Sequence, residues 1–260
     1  MNTVFLKRSL VNEKYLRDFI FFDEINSTNN YSKENNIESD ILVLTSHQTS
    51  GKGRLERTWK SQKEKDITMS IVKSFDLPLS DLHLVNFYSS FVILNVLRNY
   101  DDEKRELFYL KWPNDVLLNQ KKVSGILIDI IESNENYTKV AIGIGINVNC
   151  RVFDDGLFKK ATSLSLELDK EFILEELICD IIEYFYNNID LIKNKNKLMS
   201  LWKNETQMIG KQALIKVFED SKEIYCKILD IENDGGIKVE IENENKFKYF
   251  SGDITVLESY

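Results

Sequence analysis

Four short segments of this chain combine residue types that handle anions and amides. Gly51-Lys52-Gly53-Arg54-Leu55-Glu56-Arg57-Thr58-Trp59 sets two glycines beside three cations. Such a stretch can wrap an anion with backbone amides and side chains. Trp59 adds an apolar face that covers an aromatic base or excludes water. Lys111-Trp112-Pro113-Asn114-Asp115 holds one of only two prolines in the chain. Pro113 fixes the backbone and directs Asn114, whose amide offers both a donor and an acceptor to a nucleobase edge or a phosphate. Lys121-Lys122-Val123-Ser124-Gly125 opens a strand, so one lysine projects from a rigid element. A lysine held there neutralises a carboxylate and then the charge that builds on an attacked phosphate. Gly125 leaves room for a ligand against the strand. Gly143-Ile144-Gly145-Ile146-Asn147-Val148-Asn149 joins a buried strand, two close-approach glycines and a terminal amide. It lacks the spacing of a dinucleotide fingerprint, and no helix follows directly, which argues against a Rossmann unit. Alone, each segment also has a plain structural reading: a solvated loop for the first, a rigid turn with a buried Trp for the second, a solvated hairpin lysine pair for the third and a tightly packed central strand for the fourth.

The elements that must carry these segments follow from pattern. Ser27-Thr28-Asn29 reads as a capped helix start. The apolar run 40–45 reads as a buried strand, and Gln48 to Lys65 as a long loop, of a length that is usually functional or disordered. Ile67 to Phe75 alternates as a strand, and 82–97, apolar nearly all round, predicts a helix buried against a sheet. Short strands at 107–110 and 116–118 flank Trp112 to Asp115. Asn119-Gln120-Lys121 turns the chain into a strand at 123–131, and 140–149 forms another. Leu174, Leu177, Ile178, Ile181, Phe185, Ile189 and Ile192 share one helical stripe. From Lys211 to Val256 the pattern changes to three or four short strands around a turn at Asn233-Asp234-Gly235-Gly236, as in a small five-stranded type of barrel. The opening segment up to about Asp23 is short and mixed.

The chain as a whole limits the function classes. It has 260 residues, 43% hydrophobic and 29% charged, enough for a large domain with a small appendage. The formal charge of −8, with both signs interspersed, argues against a nucleic-acid-binding face. The N-terminus does not read as a signal peptide, and no run approaches a membrane span. Cys150, Cys179 and Cys226 are far apart, and only His47 and His83 join them, so a metal centre is not expected. Free buried thiols in a reducing cytoplasm fit this usage.

Taken together and in order, the four segments resemble the biotin–protein ligases, the biotin–[acetyl-CoA-carboxylase] ligases. The resemblance runs from Ser27-Thr28-Asn29 through Ala161-Thr162-Ser163-Leu164 into the terminal strands, nearly the whole chain. It implies an α+β fold: a mixed β-sheet catalytic domain with packed helices over 1–206 and a small SH3-like β barrel over 207–260. It also implies two-step acyl transfer. Biotin and ATP, with Mg2+, give biotinyl-5'-AMP and pyrophosphate. The biotinyl group then passes to a lysine of a biotin carboxyl carrier protein or domain of an acyl-CoA carboxylase.

Carried over by position, Ser27, Thr28, Asn29 and Gln48 match the biotin site, with the first three at the ureido head. Gly51, Lys52, Gly53 and Arg54 match the loop that closes over biotin and the adenylate, and Arg54 the arginine linked to retaining the intermediate. Arg57, Trp59, Asn114 and Asn147 match the nucleotide side. Lys122 matches the lysine at the reacting carboxylate, and Gly125 a backbone contact to biotin. Magnesium is expected to come with the nucleotide, held largely by phosphates and water, and no protein ligand is named for it. Lys111 is expected to have a structural or secondary role.

Two positions depart from the family pattern. Lys52 replaces an arginine, keeping charge but losing the bidentate fork, and Glu56 replaces a glycine. Some relatives carry an N-terminal winged helix. Only some 26 residues precede Ser27 here, so a compact, cytoplasmic ligase without operator binding is expected, either monomer or homodimer. A lipoate– or octanoate–protein ligase shares the fold, and a non-catalytic sensor of biotin or adenylate shares the pocket.

Overall fold

The computed structural model describes residues 1–55, 57–153, 160–217, 222–241 and 245–257. In chain order its elements are α1 (Thr3–Leu10), β1 (Asp18–Phe22), α2 (Thr28–Glu34), β2 (Ile41–Thr45), β3 (Gly51–Lys52), β4 (Thr58–Trp59), β5 (Ile67–Phe75), α3 (His83–Arg98), β6 (Phe108–Lys111) and β7 (Asp115–Leu118). They continue with β8 (Lys121–Ser133), β9 (Thr138–Ile146), α4 (Leu164–Leu168), α5 (Leu174–Asn187) and α6 (Lys195–Asn204). The chain ends in β10 (Gln212–Lys216), β11 (Ile224–Ile231), β12 (Ile237–Ile241), β13 (Asn245–Tyr249) and β14 (Asp253–Val256).

Seven strands form one mixed sheet in the order β1-β2-β5-β9-β8-β7-β6. Only β1 and β2 run parallel; every other neighbouring pair is antiparallel. Local chemistry sets the register. Asn119 and Gln120 both take positive φ, 50° and 66°, the two-residue hairpin turn that joins β7 to β8. Ser27 caps α2 by accepting the Asn30 N–H, so the helix begins where its sequence signal lies. The apolar α3 is buried on nearly every side against the sheet, α5 and α6, and Phe87 meets Trp202 edge-on at 4.7 Å.

Register also sorts the sheet's two faces. Asp115 pairs with Gly125, Gly125 with Gly145, and Gly145 with Thr68. The next row on the same face is Leu127, Gly143, Ser70 and Val43, because side chains repeat every second residue. The three glycines therefore clear one continuous strip, and α2 lies beside it.

Several elements differ from the pattern-based expectation. The opening segment, to which its mixed pattern assigned no element, forms α1 and the parallel edge strand β1. The stripe at 174–192 is not one helix, since α5 stops at Asn187 and Ile189 and Ile192 lie in a 3-10 turn. Past that turn, Asn194 caps α6 by accepting the Lys197 N–H. The long loop after Gln48 carries the short β3/β4 hairpin. The terminal region holds five strands, not three or four, in the order β13-β12-β11-β10-β14. Among the described residues this sheet is open, with β13 and β14 at its edges.

The terminal sheet is bolted to the rest through polar groups. The buried Trp112 indole N–H donates to the Gly235 carbonyl at 2.9 Å, and His83 Nε2 lies 3.0 Å from the Asn233 carbonyl. The Gly235 φ of 84° makes this tight turn, and a β-carbon there would lie 3.0 Å from the His83 ring. Trp112→Phe leaves the Gly235 carbonyl dry and unpartnered, a loss of about 1–3 kcal/mol. The melting temperature should fall by several degrees. An unchanged melting temperature would remove this contact from the list of fastenings.

Candidate functional site

A cleft of about 1930 Å³ opens over the glycine strip. It runs from Ser27, Thr28, Asn29 and Gln48 to Tyr225 and Asp253 on the terminal sheet. Its two ends differ in chemistry.

The first end is neutral and polar. Gln48 Oε1 accepts from the Thr28 backbone N–H at 2.8 Å and lies 3.2 Å from its hydroxyl. Asn29 lies on bare Gly143, where a β-carbon would come within 2.6–2.8 Å of its amide. Asn29 Nδ2 donates to the Leu127 carbonyl at 3.1 Å and to Asp129 at 2.7 Å, and Asn29 Oδ1 accepts from Ser70 at 2.5 Å. Ser27, Thr28 and Asn29 are all buried.

The second end is cationic. Lys122 Nζ lies 2.6 Å from Asp115 Oδ1 and 5.6 Å from the Trp59 ring centroid. A β-carbon on Gly125 would stand 2.8 Å from the lysine Cε and Nζ, so the room expected at Gly125 holds the lysine's own end. Trp59 packs on Gly145, where a β-carbon would fall 2.3 Å from Cε2. Arg54 donates to Asn114 Oδ1 at 3.4 Å and to Ser251 at 3.0 Å, and Arg57 pairs with Asp253. Burial lowers the Arg54 and Lys111 pKa values, and the nearby Asp115 charge opposes both shifts. The chain is acidic overall, yet this half of the cleft concentrates positive charge.

Two amides placed on the nucleotide side brace the site itself. Asn114 Nδ2 donates to the Ile126 carbonyl at 2.5 Å, and Asn147 Nδ2 to the Thr162 carbonyl at 2.9 Å. Thr162 N–H in turn donates to the Lys122 carbonyl, and Lys122 N–H to the Lys160 carbonyl, both at 2.9 Å. Lys122 is thus clamped between β7 and the 160–162 segment. Gly51 sits under Trp59 and Gln48, and Gly53 N–H donates to the Arg57 carbonyl. Lys52 is exposed on the cleft wall, and Glu56 lies outside the described residues.

Sequence reasoning did not single out Ser70, Asp129, Ser251 or Asp253, and left Asp115 without a role. Ser70 and Asp129 had a faint signal: each is polar between two apolar neighbours, Met69 and Ile71 in one strand and Ile128 and Ile130 in the other. Asp253 and Ser251 had none, because their significance arises only when the terminal sheet docks.

The biotin/lipoate A/B protein ligase family profile matches residues 21–147. The bifunctional ligase/repressor BirA of Bacillus subtilis is 30% identical over 245 residues, covering 90% of this chain and 73% of that protein. This chain belongs to the biotin/lipoate A/B protein ligase family. Within that family, the biotin–[acetyl-CoA-carboxylase] ligase of Mycobacterium tuberculosis is 28% identical over 109 residues, 42% of this chain and 39% of that one. Among solved structures of the family, the Aquifex aeolicus biotin protein ligase in complex with biotin and ATP superposes with a TM-score of 0.75 at 26% identity. It matches 94% of this chain and 100% of that chain.

Proposed function

We propose that this protein is a biotin protein ligase that makes biotinyl-5'-AMP from biotin and ATP and biotinylates a carrier domain of an acyl-CoA carboxylase. The observation that carries this reading is the polarity of the cleft: paired amides and hydroxyls at one end, Lys122 at the other, and a glycine floor between. Biotin has a neutral cyclic urea, an apolar body and a carboxylate, in that order.

In the proposed pose Ser27, Thr28, Asn29 and Gln48 hold the urea, and Lys122 transfers its charge from Asp115 to the substrate carboxylate. A carboxylate oxygen then attacks the α-phosphorus, forming the anhydride bond as pyrophosphate leaves. Lys122 and Arg54 stabilise the charge that develops on the phosphate. Trp59 shields the nucleotide side, and Arg57, Asn114 and Asn147 border it. Gly51, Lys52, Gly53 and Arg54 cover the mixed anhydride against water, and Gly125 meets biotin through its backbone. In the second step the amine of the carrier lysine attacks the acyl carbon and AMP leaves.

No group of three or more Asp, Glu, His or Cys suited to a metal occurs among the described residues. Magnesium would come with the nucleotide, held largely by its phosphates and water. We take 1–206 as the catalytic domain and 207–260 as an SH3-like barrel, supported by the switch from the seven-stranded to the five-stranded sheet. No described helix is long and apolar enough to cross a membrane. The free, buried cysteines suit a cytoplasmic enzyme, and the acidic net charge speaks against a nucleic-acid partner. A monomer or a homodimer fits this reading.

The test is incubation with ATP, magnesium and either biotin, lipoate or octanoate, with the acyl-adenylate read by mass spectrometry. Biotinyl-adenylate is expected. Adenylate from lipoate or octanoate alone would reassign the substrate, and none from any acid would leave a binding protein. Arg54→Gly should leave adenylate synthesis only partly intact and release the adenylate at least about tenfold faster, since the variant loses its contacts to Asn114 and Ser251. Unchanged retention would take Arg54 out of the lid.

A further inference from the structure

The hydrogen bonds behind Asn29 decide which way its amide faces. The Leu127 carbonyl and the Asp129 carboxylate are acceptors, at 3.1 and 2.7 Å from Asn29 Nδ2. Both amide N–H groups are therefore spent on β8. An amide oxygen in that place would face two acceptors, so the nitrogen takes it. Asn29 Oδ1 points to the fully buried Ser70, whose hydroxyl lies 2.5 Å from it and 2.7 Å from the Thr28 hydroxyl. One lone pair of Asn29 Oδ1 is left. Beside it, Gln48 turns its own oxygen to the Thr28 backbone N–H at 2.8 Å, which leaves Gln48 Nε2 as the donor on the opposite side of its amide. Asn29 and Gln48 line the cleft; Ser70 and Asp129 stand behind them and do not.

We infer that Asp129, with Ser70, is a positioning residue that locks Asn29 as an acceptor and so selects substrates presenting an N–H donor at that end of the cleft. This rests on the biotin reading and deepens it: a cyclic urea supplies such a donor, whereas a dithiolane or an alkyl chain does not. Without the Asp129 acceptor, the amide is free to turn by half a rotation. Ser70 then accepts instead of donating, and Asn29 presents an N–H to the substrate's own N–H. The Leu127 carbonyl alone opposes that turn. Substrate affinity falls, while the phosphate chemistry around Lys122 is untouched.

The experiment measures pyrophosphate release by wild type, Asp129→Leu, Asp129→Asn and Ser70→Ala, varying biotin and ATP separately, with the melting temperature of each ligand-free protein. Asp129→Leu should raise KM for biotin about 10- to 100-fold, with kcat and KM for ATP within about threefold of wild type. Asp129→Asn, which keeps an acceptor oxygen, should recover most of the loss. Ser70→Ala should raise KM for biotin by a smaller factor. A biotin KM within twofold of wild type in Asp129→Leu would overturn the inference. So would Asp129→Asn as impaired as Asp129→Leu, or parallel losses in kcat, ATP KM and melting temperature, which mark a merely structural residue. Should wild type itself form no biotinyl-adenylate, the biotin reading fails first and this inference with it. Wild-type activity with a normal biotin KM in Asp129→Leu sinks the inference alone.

Discussion

Lys122→Ala is expected to lower pyrophosphate release with saturating biotin and ATP by about 10²–10³-fold or more. The lysine is the cation that β8 fixes between Asp115 and the 160–162 segment, and its ammonium end lies directly over Gly125. Alanine removes the charge and also the aliphatic stem beside Trp59. Lys122→Met separates the two, because it keeps most of the stem and none of the charge. Both variants should be equally inactive, and Lys122→Met should hold Trp59 in place. Near-normal pyrophosphate release from either would refute the role. Activity restored in Lys122→Met would assign the residue to packing.

The second large effect is expected at a residue without a side chain. In Gly145→Ala the new methyl carbon would lie 2.3 Å from Trp59 Cε2 and 2.5 Å from Cζ2. The indole must leave the strip, and the space over Gly125, beside Gly145 in the sheet, is already held by the end of Lys122. A displacement of about an ångström at a reacting site costs on the order of 10²-fold. We expect kcat/KM for ATP to fall by about that factor, with fluorescence from Trp59 reporting more solvent. Gly143→Ala should act at the other end: its methyl would meet the Asn29 amide at 2.6 Å, and biotin binding should suffer first. If the two alanines impair the two substrates alike, the cleft is not divided as proposed.

What was legible in the chain was legible for physical reasons. Lys122 could be placed because the Asn119-Gln120 turn and the alternation after it fix the start of β8. Gly143 and Gly145 stood out because glycines inside an apolar strand mark a close approach, and the groups that approach proved to be Asn29 and Trp59. Gly125 was read as a space for ligand, but a glycine says only that something comes near, and here Lys122 does. The stripe through Ile189 and Ile192 continued past the end of α5 because a 3-10 turn can bury the same apolar residues as a helix. Asp253 and Ser251 were invisible because no local pattern tells a strand-end polar residue that it will face Arg57 and Arg54 from another sheet.

The turn at Gly235 carries a last consequence. Its carbonyl receives the indole of Trp112, whose chain neighbours Lys111, Asn114 and Asp115 border the cleft, while Ser251 and Asp253 reach the loop from the other side. A cut at 206/207, where two separable parts meet on paper, would strip both the seam and the lid of their partners. Heating should melt the molecule in a single step, and the two fragments, mixed, should recover activity only by reassembling that seam.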